Sequence, residues 1–373
     1  MKNDDGKKRD SVIRVLNIMG GLDCGGLETT VMNYYRHIDR SKIQFDFLIT
    51  IDGKNYYEDE AISLGARIFR RPMRTKNPIG NMLGLARVLR QNADIRIIHI
   101  HNSSSVVAID AMLAMFYRIP MRIVHSHSVL PASPLIHKLF QPLLRITSTH
   151  WAGCSILAGK SLFGEKAWDR GSPCIIPNAR DTDAIRYDAE RRKIVRKELQ
   201  LENQLVIIHV GRLVKEKNHG FLLEAFAYAI RKEPQIALLL VGDGELRPAI
   251  EDNAALLHLG ENVRFLGQRD DVADLLQAAD VFVLPSIREG LPGAAIEAQA
   301  VGLPCLLVDS ISPECRITEL AWFLPIDRGP EIWAESILSC KSIDRHDTQE
   351  EIRNAGYDIH DAAKWLEEFY LAQ

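Results

Sequence analysis

Residues 280–308, DVFVLPSIREGLPGAAIEAQAVGLPCLLV, constrain the fold of this chain more than any other stretch. Residues 281–284 are short, apolar and β-prone, as a strand buried in a parallel sheet should be. A polar loop follows, Pro292 suits the first position of a helix, and Gly302 ends that helix before a second strand from Leu306. Strand, loop, helix and strand in this order predict an α/β fold.

This loop and helix place two carboxylates around an anion site. Glu289 lies in the loop, and Glu297 lies eight positions later in the helix. The free N–H groups of Gly293 and Ala294, in the first helical turn, lie between them, and such N–H groups bind anions. A nucleoside diphosphate sugar has this outline, with hydroxyls on either side of a diphosphate. Two surface glutamates near a helix start are the alternative, since carboxylates are favoured there in any case.

A second run of chemically useful residues, GRLVKEKN at 211–218, follows an apolar strand at 206–210. Arg212 and Lys217 come just past the end of that strand, where two cations can bind a diphosphate between them. A charged surface turn is the alternative. Strands and helices alternate through both halves of the 373 residues, which predicts two doubly wound parallel sheets.

The E-x7-E spacing in EGLPGAAIE, preceded by Pro-Ser and followed by Gly-Leu-Pro, resembles the donor-binding motif of retaining glycosyltransferases of the family 4 type. The resemblance covers most of the chain and extends to bacterial exopolysaccharide and capsule enzymes. It implies the GT-B fold, an α/β architecture of two Rossmann-like doubly wound parallel-sheet domains facing across a cleft. We expect an acceptor-binding domain over 1–180, a nucleotide-sugar-binding domain over 181–350, and a helix at 351–373 that crosses back onto the first domain.

The same resemblance implies roles for residues of the C-terminal half. Arg212 and Lys217 would bind the donor diphosphate and stabilise the leaving nucleotide, with help from the N–H groups of the helix start. Glu297 would bind the ribose and Glu289 the hexose hydroxyls. The backbone near Leu266 would receive the base.

In the N-terminal half, Gly25, Gly26 and Glu28 match a Gly-Gly-x-Glu loop that faces the donor phosphates in the family. From the residues alone, a tight turn without a ligand explains the glycines equally well. Family members also read Pro-Asn-Gly at the domain crossing, where this chain has Ala179 in place of glycine.

His127 stands at the carboxyl end of a predicted strand, where open α/β sheets bind their ligands. It matches a family histidine that contacts and orients the transferred sugar without attacking it. His125 is expected deeper on the same face. His99 and His101, on the strand 95–101, are interpreted as structural or peripheral residues on opposite faces of that strand.

The distribution of charge along the chain indicates which kinds of partner it can bind. The net charge of −3 argues against a nucleic-acid binder, yet residues 1–181 carry 25 Lys and Arg against 16 Asp and Glu, and the remainder 21 against 33. A positive first half, with a basic segment at 67–76 and an amphipathic one at 135–146, indicates contact with an anionic membrane or a lipid-linked diphosphate. A solvated loop and an ordinary helix kinked at Pro142 are the alternatives.

We therefore expect a retaining, metal-independent hexosyltransferase with no cofactor beyond a UDP- or GDP-linked sugar. Its acceptor would be a saccharide or lipid-linked oligosaccharide of surface polysaccharide synthesis. Six cysteines without a C-x-x-C pair, a charged N-terminus without an apolar segment and no apolar run of about 20 residues predict a cytoplasmic chain, at most peripheral to the inner membrane face. A nucleotide-sugar epimerase, a glycogen-type synthase and a non-catalytic binding subunit are alternatives. A nicotinamide enzyme is disfavoured, because neither glycine loop has the dinucleotide spacing.

Overall fold

The computed structural model describes residues 12–51, 53–129 and 134–372. The chain forms two compact units, here called unit 1 (Met1–Pro177 with Ile359–Gln373) and unit 2 (Asn178–Asp358). The segment 1–10, for which the sequence predicts a disordered lead-in and no signal peptide, lies outside the described residues. No helix of the described ranges is long and apolar enough to span a bilayer.

Unit 1 contains a seven-stranded parallel sheet with the order β3-β2-β1-β4-β5-β6-β7. Its strands are β1 Ile13–Ile18, β2 Ile43–Ile49, β3 Ile68–Arg70, β4 Ile95–His101, β5 Met121–Ser126, β6 His150–Gly153 and β7 Cys174–Ile175. Its helices include α1 Gly26–His37, α2 Glu58–Ser63, α3 Pro78–Gln91, α4 Ala108–Phe116, α5 Pro134–Thr147, α6 Ile156–Phe163 and α7 Glu165–Arg170. The central strands are continuous apolar runs because helices cover both faces of such a sheet. The chain order reverses between β1 and β4, and ligands bind at the carboxyl ends of strands at such a point.

Unit 2 contains a six-stranded parallel sheet with the order β10-β9-β8-β11-β12-β13. Its elements are α8 Thr182–Ile185, α9 Ala189–Glu198, β8 Leu205–Val210, α10 His219–Lys232, β9 Ile236–Val241, α11 Arg247–Leu256, β10 Val263–Gly267, α12 Val272–Ala278, β11 Val281–Leu284, α13 Gly293–Ala300, β12 Cys305–Val308, β13 Ala321–Leu324, α14 Pro330–Ser339 and α15 Gln349–Asn354. Here the order reverses between β8 and β11, the two strands that precede the motifs singled out above.

The C-terminal segment is not the single helix that the sequence predicts. It breaks at Gly356, whose φ of +81° is a left-handed conformation that glycine adopts without strain. The last helix, α16 Ile359–Leu371, belongs to unit 1 and packs on α1. Tyr370 is fully buried and anchors this helix, whereas Trp365 is 40% exposed.

The basic segment 67–76 is largely neutralised within unit 1. Arg67 pairs with Asp46, Arg70 with Glu58, and both Arg71 and Arg74 with Asp110. Among the described residues only Lys76 of the five cations lacks an acidic partner. Partners distant in the chain cancel most of the charge of this segment. Contact of the segment with anionic lipid stays a prediction.

Replacing Asp110 with alanine should destabilise unit 1 by about 3 kcal/mol, because it leaves the guanidinium of Arg71 buried without a counter-charge. Arg71 donates to both oxygens of Asp110, at 2.8 and 2.9 Å, and the Asp110 side chain is 1% exposed. Urea unfolding measures the loss. The matched control is Asp94→Ala, which removes a half-exposed carboxylate and should cost under about 1 kcal/mol; equal losses would contradict the assignment.

Candidate active site

Two loops lie at the reversal point of unit 2, residues 211–218 after β8 and residues 285–292 after β11. They are joined by main-chain and side-chain hydrogen bonds. The N–H of Ile287 donates to the carbonyl of Glu216 at 2.8 Å, and the Asn218 amide donates to the carbonyl of Pro285 at 3.3 Å. Asn218 has a left-handed φ of +56°, a conformation that asparagine tolerates, and it turns the chain into α10.

The structure brings Lys217 and Glu289 together, although 72 residues separate them. Lys217 Nζ lies 2.5 Å from Glu289 Oε1, and both side chains are less than one-fifth exposed. Arg212, in the same loop as Lys217, is exposed and makes no ion pair with any described residue. A partly buried cation and an exposed one therefore share the loop, and both can reach an anionic ligand at this edge of the sheet.

Arg180 is a site residue that the sequence reading missed. Its side chain is 4% exposed, and its Nε donates to Glu297 Oε1 at 2.5 Å. A Cβ atom on Gly293 would come within 1.7 Å of Arg180 Nη2, so only glycine lets the guanidinium lie against the first turn of α13. No local sequence motif indicates this contact, since Arg180 and Glu297 are 117 residues apart.

The first turn of α13 thus has its two free-amide residues, Gly293 and Ala294, flanked by carboxylates that are each ion-paired. Glu289 pairs with Lys217, and Glu297 pairs with Arg180. Glu289 also lies near the Cys315 thiol, and burial together with the charge of Glu289 raises the pKa of that thiol to about 12.

Loops from the neighbouring strands complete this edge. Gly242 has a φ of +126°, and a Cβ there would lie 2.1 Å from the carbonyl oxygen of Gly211, so glycine permits the two loops to touch. On the edge strand β10, the register shifts between Phe265 and Gly267, which leaves Leu266 without a partner in the β-ladder. The sequence predicts that the backbone at this irregularity receives the base.

Ser286, at the carboxyl end of β11, is a second residue that the sequence reading left without a role. It is completely buried, and its hydroxyl has no hydrogen-bond partner among the described residues. Pro-Ser directly after a buried strand was the available signal, because an unpartnered buried hydroxyl calls for an explanation.

In unit 1, the glycine loop precedes α1. The N–H of Gly25 donates to the carbonyl of Asp23 at 2.9 Å, which fits the tight turn considered above. A Cβ on Gly26 would meet nothing within 4 Å. The loop therefore places the open backbone at Gly26, the first residue of α1, rather than at Gly25.

Four histidines cluster at the carboxyl ends of β4 and β5. The rings of His99 and His101 stack with centroids 4.1 Å apart, and those of His125 and His127 lie 3.9 Å apart. The expectation that His99 and His101 face opposite sides of β4 is wrong, because residues two apart on a strand share a face. The four histidines line one cavity with Tyr370, whose hydroxyl lies 2.7 Å from His99 Nδ1.

Burial keeps this cluster neutral. It lowers the pKa of both His99 and His127 to about 3, and it holds the pKa values of His101 and His125 well below 6.5, with help from the neighbouring imidazoles. Burial of an imidazole disfavours its charged form. Neither ring nitrogen of His125 has a well-formed hydrogen bond to a described residue, although the nearby Ile176 backbone slightly offsets the fall in its pKa.

Two features bear on the expectation of no metal site. His99, His101 and His125 each offer a ring nitrogen, and these nitrogens lie within 4.8 Å of one another, so the three side chains can in principle bind a metal ion. Asp181-Thr182-Asp183 is a D-x-D tripeptide that the sequence reading overlooked. Asp181 accepts from the N–H of Ala184, and Asp183 pairs with Arg353.

Comparison with known proteins identifies the class. The profile described as glycosyltransferase family 4 matches residues 24–183, and that described as glycosyl transferases group 1 matches residues 190–356. The putative glycosyltransferase EpsF of Bacillus subtilis is 33% identical over 365 residues, covering 92% of this chain and 93% of that protein. A crystal structure of Anabaena Alr3699/HepE in complex with UDP-glucose superposes with a TM-score of 0.77 at 18% identity, covering 96% of this chain and 100% of that one.

Fold and relatives define a glycosyltransferase of GT-B architecture, as the sequence predicts. This chain belongs to the family 4 type glycosyltransferases of polysaccharide biosynthesis. A shorter match, 36% identity over 147 residues, covers 38% of an Escherichia coli UDP-Gal:alpha-D-GlcNAc-diphosphoundecaprenol alpha-1,3-galactosyltransferase.

Proposed function

We propose that unit 2 binds the diphosphate of a UDP- or GDP-linked hexose between the loops 211–218 and 285–292 and the start of α13. The observation that carries the proposal is the convergence of Lys217 and Glu289 at the reversal point of the sheet, beside the free amides of Gly293 and Ala294. A helix N-terminus and two cations favour an anion there. Glu297 would bind the ribose, Glu289 the hexose hydroxyls, and the backbone at Leu266 the base.

In the reaction, the leaving diphosphate gains negative charge as the glycosidic bond to it breaks. Arg212, Lys217 and the α13 amides would stabilise that charge, the task that a metal ion performs in other transferases. We propose transfer with retention and without a metal ion, with His127 and the Gly25–Gly26 loop of unit 1 contacting the sugar and the donor phosphates. NMR of the product anomer tests retention, and turnover after EDTA treatment tests metal independence. An inverted product would contradict the first proposal, and loss of turnover would contradict the second.

Gly293→Ala should weaken nucleoside diphosphate binding about 10-fold, or ~1.4 kcal/mol. The added methyl group must displace Arg180 from Glu297 and crowd the amides of α13. Calorimetric titration with UDP and GDP measures the change. The matched control is Gly220→Ala, early in α10, where a Cβ meets nothing closer than 3.9 Å. Equal affinity in the two variants would place the nucleotide elsewhere.

We also propose that the acceptor is lipid-linked and that unit 1 meets the inner face of the cytoplasmic membrane. The support is an apolar surface on three successively packed helices, α3, α4 and α5. Its large side chains, each more than half exposed, are Ile79, Leu83, Phe116, Leu135, Leu139 and Ile146. Exposed apolar surface on an amphipathic helix favours insertion at a membrane interface.

Vesicle co-sedimentation tests this membrane contact. The double variant Leu135→Ser, Leu139→Ser should lose most binding to phosphatidylglycerol vesicles. The control is Leu256→Ser, which removes an equally exposed leucine from α11 of unit 2. Binding that is absent from the unaltered chain, or that both variants retain, would exclude contact through α5.

A further inference from the structure

Three side chains of unit 1 form a hydrogen-bonded row across three adjacent strands. Asn17 lies on β1, His101 at the end of β4, and His127 just past β5. His101 Nε2 lies 3.0 Å from Asn17 Oδ1, and His101 Nδ1 lies 3.0 Å from His127 Nε2. The row ends at His127, the least buried of its members, and its other end is deep in the sheet.

The surroundings of Asn17 decide which way its amide points. Its Nδ2 faces two carbonyl oxygens, those of Val15 and Asp46, each at 3.4 Å. Carbonyls only accept hydrogen bonds, so the NH2 group belongs on that side and the Oδ1 faces His101. Asn17 is 1% exposed, so water does not compete with these partners for its amide group. The nitrogen of His101 that faces Oδ1 must therefore carry the proton.

A neutral imidazole has one N–H and one bare nitrogen, so a proton on Nε2 of His101 leaves its Nδ1 as an acceptor. The ionisable groups around the ring are His99, His125 and His127, with Tyr34 and Tyr370 from α1 and α16 lining the same cavity. None of these is a carboxylate that would stabilise an imidazolium. Burial accordingly lowers the pKa of His101. The bare Nδ1 of His101 then requires an N–H from Nε2 of His127.

We propose that Asn17 is a positioning residue that, through His101, fixes His127 in the tautomer with a proton on Nε2 and a lone pair on Nδ1. His127 then accepts a hydrogen bond from its ligand and cannot donate one. Its Nδ1 makes no hydrogen bond within the part of the chain that the structure describes. Given the proposed contact of His127 with the transferred sugar, on which this step rests, the sugar must offer a donor at that position, a hydroxyl or an amide N–H. A carboxylate, ether or fluorine there offers no proton.

Nitrogen NMR of histidine-labelled full-length protein at pH 7.5 tests the tautomer directly, without substrate. His101→Gln and His127→Gln assign the signals. In the unaltered chain both histidines should be neutral with the proton on Nε2. A proton on Nδ1 of His127, an imidazolium, or stoichiometric zinc bound by the cluster would overturn the proposal.

Two substitutions at Asn17 should change the tautomer in different ways, which a merely structural role would not produce. Asn17→Asp places a carboxylate against His101, favours its imidazolium, and so shifts the proton of His127 to Nδ1. Asn17→Leu removes the acceptor and leaves a mixture of both tautomers. If Asn17→Leu fails to fold, Asn17→Asp decides through both histidine signals. A His127 signal that is unchanged beside a His101 imidazolium would refute the relay, as would a proton on Nδ1 of His127 beside a neutral His101.

Kinetics with donor analogues link the tautomer to recognition. Among monodeoxy analogues of the hexose, one should lose about 10²-fold in kcat/KM with the unaltered chain and less than about 10-fold with Asn17→Asp. Equal discrimination by both enzymes would overturn the role in recognition. Absence of transfer with every nucleotide sugar would instead refute the proposed function, and the NMR result would still decide the tautomer.

Discussion

Lys217→Ala and Glu289→Ala should each lower the rate of sugar transfer about 10²- to 10³-fold, with melting temperatures within a few degrees of the unaltered chain. The expected loss is that of removing one preorganised group from a developing charge. Lys217 would neutralise the leaving diphosphate, and Glu289 would bind the sugar. Their ion pair, at 2.5 Å, positions both groups at the edge of the unit 2 sheet.

The double variant separates two explanations for such a loss. If the pair merely held the two loops together, removing both partners would leave no unpaired charge and would restore much of the rate. If both groups contact the donor, the double variant should be at least as slow as either single one. Lys215→Ala, in the same loop but exposed, is the matched control and should keep full activity. Normal turnover in either folded single variant would refute the assignment.

Acidification from pH 7.5 to 5.5 should destabilise unit 1 by about 5.5 kcal/mol. His99, His101, His125 and His127 have pKa values in the folded chain far below the ordinary value of about 6.5. The unfolded chain therefore binds more protons over this interval, so stability is complete above pH 6.5 and falls as the pH drops. Each histidine accounts for about 1.4 kcal/mol of the change.

Urea unfolding at the two pH values measures this dependence. His125→Leu should reduce the change by about 1.4 kcal/mol, because it removes one titrating group without touching the hydrogen bonds of His101. His346→Gln replaces an exposed histidine of unit 2 and should leave the change unaltered. A pH dependence equal in His125→Leu and in the unaltered chain would show that the cluster does not govern acid stability.

Local patterns predicted most of the sheets, because strands buried on both faces are continuous apolar runs. The exceptions are short. β3 lies inside the arginine-rich segment, and β13 is a four-residue strand at an edge of the unit 2 sheet. Gly356 broke the predicted terminal helix through a left-handed conformation, and this single residue within an otherwise helical pattern was overlooked.

The candidate site follows the same pattern: local motifs indicate some of its residues, and only contacts between distant residues reveal the others. Motif spacing pointed to Lys217, Glu289 and the α13 amides as candidates, because the loops that carry or precede them follow predicted strands. The role of Arg180 was not predicted. It depends on contacts with Glu297 and with Gly293, which has no side chain, and both residues are more than 100 positions away. The ion pairs of the basic segment were unpredictable for the same reason, since the carboxylate that pairs with Arg71 and Arg74 comes from Asp110 on another helix.

A crystal structure of the full chain with bound UDP or GDP tests the central claim most directly. We expect the diphosphate within hydrogen-bond distance of the N–H groups of Gly293 and Ala294 and of Lys217 Nζ, with the ribose against Glu297. A nucleotide bound away from the loops 211–218 and 285–292 would contradict the account.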